Sequence, residues 1–169
     1  MSFPLAAFAA LTQANYREVA AQSLISGIRH ARTIALTHNQ NTVIYAINGD
    51  WTQGWRIILD VSGRGPQDSS NPLLVEHANG DRVPIVGNWS VRSFVRFSHL
   101  GQPLMPGRAF QAGTLYLCAA REPVSHLQVV LAPSGRVRLD NRKAEQALCA
   151  EEKRLKAATS RAALSASRT

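Results

Sequence analysis

The feature that most constrains this chain is a change of hydrophobic period at residue 42. Before it, Ala20, Leu24, Gly27, Ile28, Ala31, Ile34 and Ala35 recur at three- and four-residue spacing, which lines one face of a helix. Arg17, Gln22, Arg29 and Arg32 fall on the opposite face. The pattern predicts one long helix over residues 1–40, ending where His38-Asn-Gln-Asn41 gathers turn formers. The apolar stripe is built largely from small side chains, so whatever packs there approaches closely. Gly27 costs about 1 kcal/mol in a helix interior, a cost that close packing against a sheet offsets.

From Thr42 the period falls to two. Strands are expected at 42–47, 55–61, 73–78, 82–86, 114–119, 126–132 and 136–140. A further one at 89–98 places Trp89, Val91, Ser93, Val95 and Phe97 on one side, against Arg92, Phe94 and Arg96 on the other. Asn79-Gly80 reads as a hairpin turn joining its two flanking strands, and Pro133-Ser-Gly135 as the turn before the last strand. One long helix followed by a run of short antiparallel strands is an α+β layout, the helix packed on antiparallel sheet. The chain divides into a helix (1–40), a β head (41–140) and a basic tail (141–169), partly helical or disordered. In the tail Ala144, Leu148, Leu155 and Ala162 form a thin apolar seam. It supports a helix to about residue 159, with disorder expected over 165–169.

At 169 residues the chain is long enough to bury one core without metals or many disulfides. Nineteen basic residues against eleven acidic give a net charge of +8, which favours an acidic partner: nucleic acid, anionic lipid or another subunit. Residues 1–140 hold twelve Arg and no Lys, whereas Lys143, Lys153 and Lys156 all lie in the tail. No stretch reaches the roughly 18 apolar residues that cross a bilayer. The apolar run at 3–11 lacks the charged flank of a signal peptide. Cys118 and Cys149, far apart, exclude a CxxC motif and a four-cysteine zinc site. They leave one disulfide or two inert thiols.

Catalytic patterns are missing. His30, His38, His77, His99 and His126 fall on different elements without metal-ligand spacing, so neither a metal nor a cofactor is expected. Ser62-Gly-Arg-Gly65 offers backbone amides for a phosphate, yet it lacks the Lys and following helix of a P-loop; a plain loop is the expectation. Asp50, Trp51, Gln53 and Trp55 suggest a sugar site, although tryptophans around a hairpin more often anchor a core.

Four segments resemble a known family in order along the chain. Arg29-His-Ala-Arg-Thr-Ile-Ala-Leu-Thr-His-Asn-Gln40 is similar to the end of the long helix in FimT/GspH minor pilins and pseudopilins. Trp51-Thr-Gln-Gly-Trp55 with Ile57-Ile-Leu-Asp60 resembles their first hairpin. Val95-Arg-Phe97 with Gly101 resembles a middle strand. Leu115-Tyr-Leu-Cys118 and Val130-Leu-Ala-Pro-Ser-Gly-Arg-Val-Arg138 resemble the closing strands. Val43-Ile-Tyr45 stands where the family's first strand often carries a Cys. The cleavage site and hydrophobic half of the family's helix are not in this stretch, and the tail runs longer than in many members.

The resemblance implies a pilin-like fold and a non-enzymatic subunit of a type IV pilus or type II secretion filament. Other pilin or pseudopilin subunits would be its partners. It also implies a single-pass anchor upstream, in the inner membrane before assembly, and a head in the periplasm or filament. Thiols oxidise there, so a Cys118–Cys149 disulfide pinning the tail to the sheet is expected. Within this frame the chain is either a filament-initiating or tip subunit, or one that also binds DNA for uptake. A free-standing periplasmic binding module is the third reading. For DNA, the candidate residues are Arg136, Arg138, Arg142 and Lys143. In a strand Arg136 and Arg138 project from one face about 7 Å apart, near the pitch of successive phosphates, with Val137 and Leu139 turned to the core. Such binding would be double-stranded, non-sequence-specific and salt-sensitive. An edge strand whose arginines merely resist aggregation accounts for the same pattern.

Overall fold

The computed structural model describes residues 4–167. Helix α1 runs from Leu5 to His38 and stops at Asn39, which takes a left-handed conformation while its amide bonds to Ala35. Among the described residues nine strands follow in two antiparallel sheets. The first sheet orders β3 (Leu73–Ala78), β2 (Gly54–Leu59), β1 (Thr42–Ala46) and β5 (Phe94–Phe97). In the second, β4 (Ile85–Gly87), β6 (Gly113–Cys118), β7 (Val124–Leu131) and β8 (Val137–Asp140) are neighbours, and β9 (Ala144–Glu145) pairs with the start of β7. Helix α2 (Ala147–Ala166) closes the chain.

The core lies between α1 and both sheets. All seven stripe residues of α1 are buried, joined by Ala21 and Ile25. They meet Ile44, Ala46, Trp55, Ile57, Val95 and Phe97 of the first sheet, and Leu115, Leu117, Val129, Leu131 and Val137 of the second. Burial begins at Ala20. Towards its start α1 has no sheet beneath it, and Leu5, Phe8 and Leu11 are exposed. Tyr16 marks the border, its ring covered by the Arg82 guanidinium 4.8 Å away. No helix among the described residues is long and apolar enough to cross a membrane.

Three expectations are corrected. Asn79-Gly80 does not make a hairpin, because β3 and β4 belong to different sheets. Pro84 has no amide to offer a ladder beside β3; its carbonyl instead accepts from the Cys118 amide at 2.8 Å. The Ile85 amide donates to Thr52 Oγ1 at 3.0 Å, so the turn carries the chain from one sheet to the other. Trp89 is not on the buried side: residues Trp89–Val91 form a 3-10 turn and the indole is 78% exposed. Alternation holds only within β5. The tail is helical past residue 159 and through 165–166, where disorder was expected; Arg168 and Thr169 lie outside the described residues. Its apolar seam packs only at half-buried Leu148, since Ala144, Leu155 and Ala162 are exposed.

Helix α2 is held instead by Cys149 and Glu152. Cys149 is disulfide-bonded to Cys118, with the two Cα atoms 5.7 Å apart. Glu152 Oε1 accepts from Thr52 Oγ1 at 3.1 Å and from Lys156 at 2.8 Å, and Lys156 also faces Asp50 at 3.7 Å. The helix is thereby pinned across the second sheet toward the turn between β1 and β2.

Candidate functional site

The chain folds back at Pro133-Ser-Gly135, and β8 leaves this turn as an edge strand paired only to β7. Val137 is buried and Leu139 packs against the core, so Arg136 and Arg138 stand on the outer face, both exposed. Asp140 faces the same way by alternation. Past it the ladder is irregular: Asp140 opposes Gln128, whereas Ala144 opposes Ser125. Residues 141–143 therefore face only two residues of β7, which is a bulge.

The bulge folds Arg142 back onto Asp140. Arg142 Nη2 donates to Asp140 Oδ2 at 2.7 Å, its Nε lies 3.1 Å from both carboxylate oxygens, and its amide donates to Oδ1 at 3.0 Å. Arg138 Nη1 reaches the same Oδ2 at 3.3 Å. The hydrogen bonds from Arg142, and then the weaker one from Arg138, hold the Asp140 carboxyl well below the usual carboxylate range. The four candidate cations thus form an arrangement with a carboxylate at its centre. Arg138 and Arg142 converge on it, Arg136 lies beside them toward the turn, and Lys143 sits on the bulge. Burial, followed by the charges of Arg17 and Lys143, lowers the pKa of His126 on β7. Positive charge therefore continues from the bulge toward α1.

Two further arginines belong to this surface. Arg29 Nη2 donates to the Val137 carbonyl at 3.2 Å, and Arg32 Nε donates to the Gly101 carbonyl at 2.9 Å. Gly135 lies over Arg32: a Cβ there would sit 2.9 Å from Nε, and its φ of +86° disfavours any other residue. Among the described residues neither arginine has a carboxylate within ion-pair distance. The only signal for them in the sequence was their i, i+3 spacing near the helix end, which reads equally as a solvated face.

The other sequence candidates resolve differently. In Ser62–Gly65 the Arg64 amide donates to Ser62 Oγ and the Gly65 amide to Asp60 Oδ1, so those donors are spent within the loop. Trp51 and Trp55 are buried, 1% and 6% exposed, and present no platform for a sugar. No group of three or more His, Cys, Asp or Glu among the described residues is arranged to hold a metal.

The family model described as "Type II transport protein GspH" matches residues 20–135. The chain belongs to the GspH family, that of the GspH/FimT-like minor pilins and pseudopilins. The matched stretch runs from the first buried residue of α1 to the turn before β8, so the GspH core is the helix–sheet body and the Arg136–Lys143 surface lies just beyond it. Two crystal structures of the type IV minor pilin FimU from Pseudomonas aeruginosa share the fold. One has a TM-score of 0.62 at 20% identity, covering 80% of this chain and 98% of FimU. The other has a TM-score of 0.60 at 20% identity, covering 76% and 98%. None of the curated proteins matches the chain.

Proposed function

We propose that this GspH-family protein is a minor subunit of a type IV pilus or type II secretion filament, acting at the periplasmic side through binding and not catalysis. The observation that carries this reading is the division of α1. From Ala20 to Ala35 it is buried against both sheets, while Leu5, Phe8 and Leu11 are 88%, 67% and 70% exposed. Apolar side chains on an uncovered helix seek other apolar surface, and the start of a pilin helix bundled with its neighbours in a filament supplies it. Phe8→Glu with Leu11→Glu should leave the head folded and remove the protein from filaments sheared off cells that carry it. Undiminished recovery of the double variant in the sheared fraction would overturn the reading.

A second function on the same subunit is supported by the outer face of β8. Arg136, Arg138 and Arg142 are exposed there, with Arg29 and Arg32 behind them. Such a surface suits non-specific contact with the phosphates of double-stranded DNA, at roughly 10⁻⁴ to 10⁻⁶ M in physiological salt, as DNA uptake requires. Replacing Arg136 and Arg138 by Gln should weaken binding to every sequence alike and flatten its salt dependence. Binding unchanged by the substitution would move DNA contact away from this site to the Lys-bearing tail, and no binding at low salt would leave a structural subunit.

A further inference from the structure

The outer face of the first sheet, turned away from α1, carries a cleft of about 670 Å³. Register fixes its floor. One row across the strands reads Ile58, Val43, Arg96, and the next reads Arg56, Tyr45, Phe94. Val43 and Ile58 are buried although they lie outside the main core, because the loops at 60–72 and 101–112 fold over this face. The cleft opens between the loops, above Tyr45, Phe94 and Arg96.

Asp60 stands at one end, its side chain fully buried. Oδ1 anchors the first loop, accepting from the Gly65 amide at 2.8 Å and from Asn71 Nδ2 at 3.2 Å. Oδ2 is different. It faces Arg96 Nη2 at 3.3 Å as an ion pair, yet it is buried and accepts no hydrogen bond. A buried carboxylate oxygen without a donor is costly, and anchoring the loop uses only the other oxygen. Arg64 and Gln67, both exposed on the loop, line the opening.

We propose that this cleft binds an acidic saccharide. Three features of its chemistry converge on that class. The aromatic pair Tyr45 and Phe94 offers faces for the C–H side of a sugar ring. The buried Asp60 fixes Arg96 through the ion pair at 3.3 Å, so that this guanidinium is held in place at the cleft. Two guanidinium groups against one carboxylate leave positive charge for a uronate-type anion, and planar guanidinium matches a carboxylate in bidentate fashion. A free phosphate fits less well, since the Arg64 and Gly65 amides are already bonded within the loop.

The test uses the whole chain with trigalacturonate and maltotriose as probes, followed by amide NMR shifts. Trigalacturonate should shift the amides of Ser93, Arg96, residues 63–65 and Gln67, and bind at least tenfold more tightly than maltotriose. Arg64→Gln, on an exposed side chain, should erase that preference without changing the melting temperature. Tyr45→Leu should weaken both sugars, with the fold checked by the same melt. Shifts confined to Arg136–Lys143 would mean a general attraction of anions to the basic face and would overturn the proposal. So would the absence of shifts around the cleft, or a preference that survives Arg64→Gln. The filament and DNA readings stand or fall separately, because none of these variants touches α1 or β8.

Discussion

Gly27 of α1 lies directly against the indole of Trp55: a Cβ on residue 27 would sit 2.6 Å from Cζ2 and 2.9 Å from Cε2. The ring has little room to retreat, because its other side stacks on His77 with centroids 5.2 Å apart. Small residues in the helix stripe are therefore what lets α1 reach the first sheet.

Gly27→Ala should accordingly destabilise the protein despite the better helix propensity of Ala. Propensity contributes about 1 kcal/mol in favour, and overpacking a filled contact costs about 1–3 kcal/mol. A net loss of up to about 2 kcal/mol in urea unfolding is expected. Combining Gly27→Ala with Trp55→Phe should recover part of the loss, since the two residues compete for the same space. Additive losses would show that the contact does not limit the approach of the helix.

Cys149→Ser should release α2. The bond to Cys118 spans 31 residues, a closure worth about 3.5 kcal/mol in the chain-entropy account. Beyond its first turn the helix is then held to the body through Glu152 on Thr52 and Lys156 on Asp50. Trypsin should cut the variant at Lys153, Arg154 or Lys156 well before the sheets are attacked. Equal rates for variant and parent would show that the Glu152 network alone suffices.

Much of this arrangement is legible in the sequence, and the misses have physical causes. The stripe of α1 is readable because every third or fourth residue meets the same two sheets, and the alternation of Arg136, Val137, Arg138 and Leu139 marks the buried face of β8. Asn79-Gly80 misleads because turn chemistry reports a local reversal and not which sheet receives the next strand; Pro84 was the informative residue. Trp89 misleads because alternation was extended through a 3-10 turn. At the candidate site, the inward Val137 and the outward Arg136 and Arg138 follow from period two alone. The Asp140 cluster does not. It depends on a bulge, which is a property of the pairing with β7 and leaves no mark in residues 141–143 themselves. Arg29 and Arg32 were hidden for a similar reason: their acceptors, the carbonyls of Val137 and Gly101, are main-chain atoms distant in sequence.

Asp140→Asn separates what the carboxylate does for the fold from what it does for the surface. The folded-state pKa of Asp140 is depressed, so its contribution to stability is fully present above the unfolded value of about 3.9. That contribution is lost as pH falls below about 4 toward the folded value. The variant should show a shallower decline in stability below pH 4, while Asp68, lowered by its hydrogen bonds from Ser70, keeps its own share of that decline. For DNA the sign reverses. Asn removes one negative charge from the midst of Arg136, Arg138 and Arg142, and at the few-ångström separations involved, with solvent around, this corresponds to about threefold tighter binding at low salt. The salt dependence should not flatten, because no phosphate-contacting cation has been lost. Weaker binding would instead identify Asp140 as the group that holds Arg138 and Arg142 in position for phosphate, since the bidentate grip on Arg142 is what the substitution breaks. Unchanged binding alongside a changed acid limb would show that the Asp140 cluster serves the edge of the sheet alone, and that DNA, if bound, is met by other residues.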